Sequence, residues 1–127
     1  MDVVKFSSGA AEGSSGNATA VGFSVPLSGL IHKVRLEYSG SPPATTDVTL
    51  IDESDAGAES ILNRMNASSN TTIYPRRAVQ TNSGSNCTYD GVRIVYENFA
   101  VNGRLKLTIS QTNPACECTA YVYVIRI

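Results

Sequence analysis

Tryptophan is missing from this chain of 127 residues, histidine occurs once and cysteine three times. Each shortage removes a class of function. A serine or cysteine nucleophile needs a histidine or equivalent base beside it, and His32 is the only histidine. It sits in an alternating apolar run, where a packed or hydrogen-bonded strand residue is expected. Structural zinc takes four Cys or His ligands, commonly in C-x(2–4)-C pairs. The available set is Cys87, Cys116, Cys118 and His32, with C-x-C spacing, so no metal site is expected. A basic excess is also lacking. The formal net charge is −1 and the only adjacent cations are Arg76 and Arg77, which speaks against a nucleic-acid binder. No apolar run approaches the roughly 20 residues that span a bilayer, so no membrane partner is expected. The start, MDVVKFSSGAAEG, has no basic leader before an apolar stretch, which points to synthesis in a cytosol. No G-x-S-x-G, H-E-x-x-H or Walker-type glycine loop occurs, and the expectation is a protein with no cofactor that is not an enzyme.

What the chain has in plenty is turn chemistry. Ser, Thr, Asn and Gly make up about a third of it. Val, Ile, Leu and Tyr supply most of the apolar content. That profile suits short strands joined by polar turns and suits long helices poorly.

Residues 7–19, SSGAAEGSSGNAT, hold no large apolar group and read as a flexible tether. In front of them stands the apolar tip Val3-Val4-Lys5-Phe6. It either docks on a partner or adds an edge strand to its own sheet. The division expected is an N-terminal arm, 1–19, and one domain, 20–127. From residue 20 the period is two. Leu30, His32, Val34, Leu36 and Tyr38 share one face of a strand, and Val48 and Leu50 point inward from the next. Ile61–Met65 opens a short helix or forms a short strand, and its β-rich surroundings favour the strand. Thr71–Tyr74 is a strand stopped by Pro75. Val92, Ile94 and Tyr96 alternate with Arg93 and Glu97. Asn102-Gly103 between two apolar runs predicts a two-residue hairpin, with Leu105, Leu107 and Ile109 facing the core. Thr119–Ile127 is apolar on both faces (Tyr121, Tyr123, Ile125 and Ile127 against Val122 and Val124) and predicts a central strand covered on both sides. The sum is an all-β fold, a single antiparallel β-sandwich or jelly-roll-like domain of about eight short strands.

Three polar features remain. Alternation places Cys116 and Cys118 on one side of the last strand, as small reduced residues, with Cys87 a separate loop thiol that pairs with one of them or with neither. The acidic loop Asp52-Glu53-Ser54-Asp55 fails the spacing of a calcium loop and reads as a solvated turn. Tyr74-Pro75-Arg76-Arg77 is either a contact patch or a strand end whose arginine stems cover apolar surface. The candidate partner-binding residues are thus Val3, Val4, Phe6, Tyr74, Arg76 and Arg77. Tyr74, Tyr89 and Tyr96 line a groove if the domain binds sugar, although the lack of tryptophan weighs against that alternative.

The segments SPPATTDVTL, YPRR before a Gly-rich loop, NGRLKLTISQ and the closing YVYVIRI together resemble a family of small structural proteins of tailed bacteriophages, over residues 20–127. The resemblance implies a virion component, of the head decoration (cement) type or another tail, neck or baseplate part. A cement protein binds the outer surface of the major capsid protein shell after assembly in the host cytoplasm, commonly as a trimer or dimer. The same resemblance implies that the quoted motifs mark structural turns and no active site.

Overall fold

Alternation decides this fold strand by strand. The computed structural model describes residues 1–126, which contain eleven strands and no helix. They are β1 (Asp2–Ser7), β2 (Ala18–Phe23), β3 (Leu27–Ser39), β4 (Asp47–Asp52), β5 (Ser60–Arg64), β6 (Thr71–Ile73), β7 (Arg76–Ala78), β8 (Tyr96–Asn98), β9 (Ala100–Gly103), β10 (Leu105–Thr112) and β11 (Glu117–Ile125). One sheet has the order β1-β11-β3-β6, with β9 also paired to β3. The second has the order β2-β10-β4-β5, and β7 and β8 form a separate ribbon. Every pairing is antiparallel. The fold is all-β and sandwich-like, as expected, with more strands than the eight that periodicity reveals.

The inner faces make one core. Val34, Leu36, Val122 and Val124 of the first sheet and Val48, Leu50, Leu105, Leu107 and Ile109 of the second are fully buried. Burial of such side chains contributes about 1.5–3 kcal/mol each before entropy is counted. Cys116 and Cys118 are also fully buried, and all three thiols are free.

The N-terminal segment is not a separate arm. β1 pairs with β11 from Asp2↔Val124 to Ser7↔Thr119. Beyond it, the amides of Ser8 and Ala11 donate to the carbonyls of Cys118 and Cys116. The chain then turns over and enters the second sheet at Ala18, so residue 20 divides nothing. Phe6, Ala11 and Ala18 belong to the core. Gly22 of β2 passes so close to Ser7 that a Cβ there would collide with the Ser7 carbonyl. A segment poor in large side chains is ordered here because its backbone groups complete the ladder of β11 and because Phe6 seals the sheet edge. Of the three N-terminal candidates, Phe6 is buried, Val4 half-buried and Val3 exposed.

Three further expectations change. The inward row of β3 is Leu27, Gly29 and Ile31, then Val34 and Leu36. Opposite, Tyr123 pairs with Lys33 but Val124 pairs with Ile31, so His32 is an extra residue in a β-bulge. The bulge shifts the alternation by one and turns Leu30 and His32 away from the row that Val34 begins. Asn102-Gly103 makes no hairpin either. β9 pairs with β3 while β10 pairs with β2 and β4, so the chain changes sheets at this point. Gly103, at φ +148°, supplies the corner. Finally, β11 is central in its sheet but is covered on one face only. Tyr121 and Tyr123 lie half-buried on the outer face under Lys5 and Lys33. Ile127 lies outside the described residues.

Truncating Phe6 to Ala should lower stability by about 3–5 kcal/mol in urea denaturation. Val3→Ala, at an exposed position of the same strand, should change it by less than about 0.5 kcal/mol.

Candidate interaction surface

The outer edge of β3 is shared. β9 covers Leu27–Leu30 and β6 covers Val34–Leu36, leaving a gap at residues 31–33. Out of this gap the chain makes an excursion, residues 74–98, before returning to the core at Phe99. The bulge at His32 and the excursion belong together. The Ile31 amide donates to the Phe99 carbonyl at 2.9 Å. The Ile31 carbonyl accepts from Asn98 Nδ2 at 2.8 Å, and the His32 carbonyl from Arg76 Nη1 at 3.0 Å. Side chains thus take the acceptors that no neighbouring strand reaches.

Pro75 is buried and ends β6, since it offers no N–H to the ladder. β7 then pairs with β8, Arg76↔Asn98 to Ala78↔Tyr96. The ladder extends outward through a third segment. The Val79 amide donates to the Val95 carbonyl at 2.9 Å, and Cys87 bonds to both, its amide donating to the Val79 carbonyl at 2.7 Å and its carbonyl accepting from the Val95 amide at 3.0 Å. Two turns close the ribbon. Thr81 and Ser85 hold one, with a 2.7 Å bond from the Thr81 amide to the Ser85 carbonyl. Asp90 holds the other, its Oδ1 accepting from the amides of Val92 at 2.9 Å and Arg93 at 2.6 Å. Those two amides, Arg93 foremost, keep the Asp90 carboxyl below the ordinary carboxylate range. Gly91, at φ +82°, permits the turn.

This excursion carries four large exposed apolar side chains, among them Val92, the most exposed large hydrophobic side chain among the described residues. Val92 is 81% exposed, Tyr89 65%, Tyr96 60% and Tyr74 54%. The other three tyrosines, Tyr38, Tyr121 and Tyr123, are half-buried. The alternation of Val92, Ile94 and Tyr96 therefore marks no core strand. Arg93 lies over the Tyr89 ring, 5.9 Å from its centroid, and pairs with Asp90 at 3.1 Å. Exposed Tyr and Arg on a backbone fixed by its own bonds are the residue types that dominate contact energies, at a low cost in ordering.

Of the sequence candidates in this region, Tyr74 joins that surface and packs edge-on against His32, ring centroids 5.6 Å apart. Arg76 is committed to the carbonyls of His32 and Pro75. Arg77 lies 3.8 Å from Glu59 and 3.7 Å from Glu97, tying the ribbon to the acidic loop. Both arginines thus have polar partners within the chain. Val3, Val4 and Phe6 lie on a different edge, so the six candidates do not form one surface. Tyr96, Val92 and Arg93 were not among them. The available signal was the Tyr-Asp-Gly turn at 89–91, which breaks the alternation that makes Val92 look internal.

Several other polar groups are held by internal bonds. Cys118 is fully buried, and burial pushes its thiol up to about 12, aided by Glu117 and opposed by Arg64. Burial and the nearby Cys118 also raise the Tyr38 hydroxyl, which accepts from Arg64 at 3.1 Å. Cys116 Sγ donates to the Gly40 carbonyl at 3.2 Å. In the acidic loop, Asp52 Oδ1 accepts from Ser54 Oγ at 2.6 Å, Asp55 accepts from the Glu59 amide at 3.1 Å, and Glu53 pairs with Arg104. A shallow cavity of about 300 Å³ beside this loop is lined by Asp52, Ser54, Asp55, Ala100, Val101 and Asn102. Its lining supplies no histidine or thiol. Among the described residues no three His, Cys, Asp or Glu side chains converge as a metal site.

No protein-family model, curated protein or solved structure matches the chain significantly.

Arg76→Ala should lower stability by about 1–3 kcal/mol, because it strands a half-buried carbonyl in the β3 gap. Arg77→Ala, removing ion pairs that water screens, should cost no more than about 1 kcal/mol. Parallel urea denaturation of the two variants checks the contrast.

Proposed function

We propose that the chain is a structural protein of a tailed-bacteriophage particle, a head decoration protein that binds the outer surface of the major capsid protein shell as a homo-oligomer. The observation that carries the reading is the 74–98 excursion. It places three exposed tyrosines, Val92 and Arg93 on a ribbon held in shape by its own hydrogen bonds and anchored in the β3 gap. A binding surface of this kind needs little ordering when it docks.

Two further points support it. The motifs that resemble phage structural proteins fall on scaffold positions: YPRR at the root of the excursion, NGRLKLTISQ at the change of sheet, and Tyr121–Ile125 of the closing motif in the central strand. The side chains that would serve catalysis are also engaged elsewhere. His32 packs on Tyr74, and Cys118 keeps its proton at neutral pH. The reading is therefore of a non-enzymatic protein that works by contact. Many copies of one modest interface add up to stabilisation of a shell through avidity.

The test is the copy number and position of the chain in purified particles, by quantitative mass spectrometry with imaging. On the order of hundreds of copies on the head exterior is the expected result for lattice-wide binding. A dozen or fewer copies at the tail or neck, or none in the particle, would contradict it.

A further inference from the structure

The outer face of the first sheet is the second feature that the fold leaves without a covering layer. Strand register fixes its composition. One row across β1, β11 and β3 reads Val3, Tyr123, Lys33. The next reads Lys5, Tyr121, Arg35, and β6 extends it with Thr72. Lys5 Nζ stands 5.5 Å from the Tyr121 ring centroid, and Lys33 Nζ stands 4.5 Å from that of Tyr123. Each lysine reaches its ring from the opposite side of β11, so two ammonium groups flank adjacent outward tyrosines. Arg35 adds a third cation, held by Thr72 at 3.3 Å and shared with Glu37 at 3.9 Å.

What distinguishes these lysines is that each stands over a tyrosine ring without an internal counterion; among the described residues Lys106 has no ion pair either but lies over no ring. Five of the seven arginines form ion pairs, whereas neither Lys5 nor Lys33 does among the described residues. The two are fixed on aromatic rings, which limits the entropy a partner's carboxylate must remove. We infer that this face, centred on Tyr121 and Tyr123 with Lys5, Lys33 and Arg35, docks a carboxylate-rich surface of another protein.

Other occupants fit less well. Single-stranded nucleic acid stacks its bases on open aromatic faces. Here the lysines already occupy the rings on which bases would stack. A second copy would have to offer an acidic patch, but nine of this chain's eleven Asp and Glu side chains are engaged internally. Asp2, Glu37, Glu53, Glu59, Asp90 and Glu97 are all in ion pairs. Asp47, Asp52 and Asp55 accept internal hydrogen bonds. None of these residues belongs to the ribbon of residues 74–98, so the inference holds whether or not the chain belongs to a capsid.

The experiment titrates the full chain with poly-L-glutamate at low ionic strength and follows amide shifts by NMR. The expected result is a set of shifts centred on β11, β1 and the middle of β3, weakening as salt is added. K5E/K33E should lose at least about tenfold in affinity, K5Q/K33Q should lose less, and K106E on the other sheet should change it less than about twofold. Unaltered far-UV circular dichroism and urea midpoints would confirm that the variants fold. Equal affinity of K5E/K33E and wild type, or shifts centred elsewhere, would overturn the inference. So would tighter binding to oligo(dT) than to poly-L-glutamate at equal salt, or a dimer that K5E/K33E abolishes. Glutamate binding by a chain that particles lack would uphold this inference while sinking the capsid reading.

Discussion

The pairing of β1 with β11 is the contact on which the rest depends. β11 is central only because an N-terminal strand lies on its free edge. That strand brings Phe6 to the core margin and carries the chain past Cys116 and Cys118 to the second sheet. Where the two edge strands meet, only glycine fits at position 22. A tether that reads as disordered is thus the closure of one side of the sandwich. The consequence for function is direct. An arm consumed in its own fold is not available to lie along a neighbour, and contact passes to the surfaces the fold leaves open.

The most pronounced of those surfaces follows from a single inserted residue. The bulge at His32 re-phases β3 and leaves carbonyls at a point where neither β6 nor β9 reaches. Arg76 and Asn98 bind those carbonyls and so fix both roots of the 74–98 ribbon. The distant turn at Asp90 then holds Tyr89, Val92 and Arg93 outward. Sequence, local geometry and surface are connected here by hydrogen bonds at each step.

Much of this was legible in the residues. Alternation identified β4, β10 and the second half of β3, and divided β11 into its two rows without telling which is inward, because period-two patterns report burial only where one row is polar. It failed where pairing is not local. Leu30 and His32 carry the right pattern on the wrong side of a bulge, and a bulge leaves no mark in composition. Asn102-Gly103 has the chemistry of a hairpin, but whether flanking strands pair with each other depends on partners far away in sequence. Val92, Ile94 and Tyr96 alternate without any sheet to cover them. For the candidate surface, Tyr74 was visible through its motif. Tyr89 and Tyr96 were visible only as the lining of a sugar groove, and Val92 and Arg93 not at all, since the exposure of their turn is a property of the assembled fold.

The most direct test of the account is amide hydrogen exchange on the free chain. If β1 is a strand of the sandwich, the amides it shares with β11 should exchange as slowly as those of β3 and β10, in one cooperative unit that opens with global unfolding. Exchange of residues 2–7 at the rate of an unstructured peptide, with β11 and β3 still protected, would contradict it. The N-terminal segment would then be free to bind a partner after all.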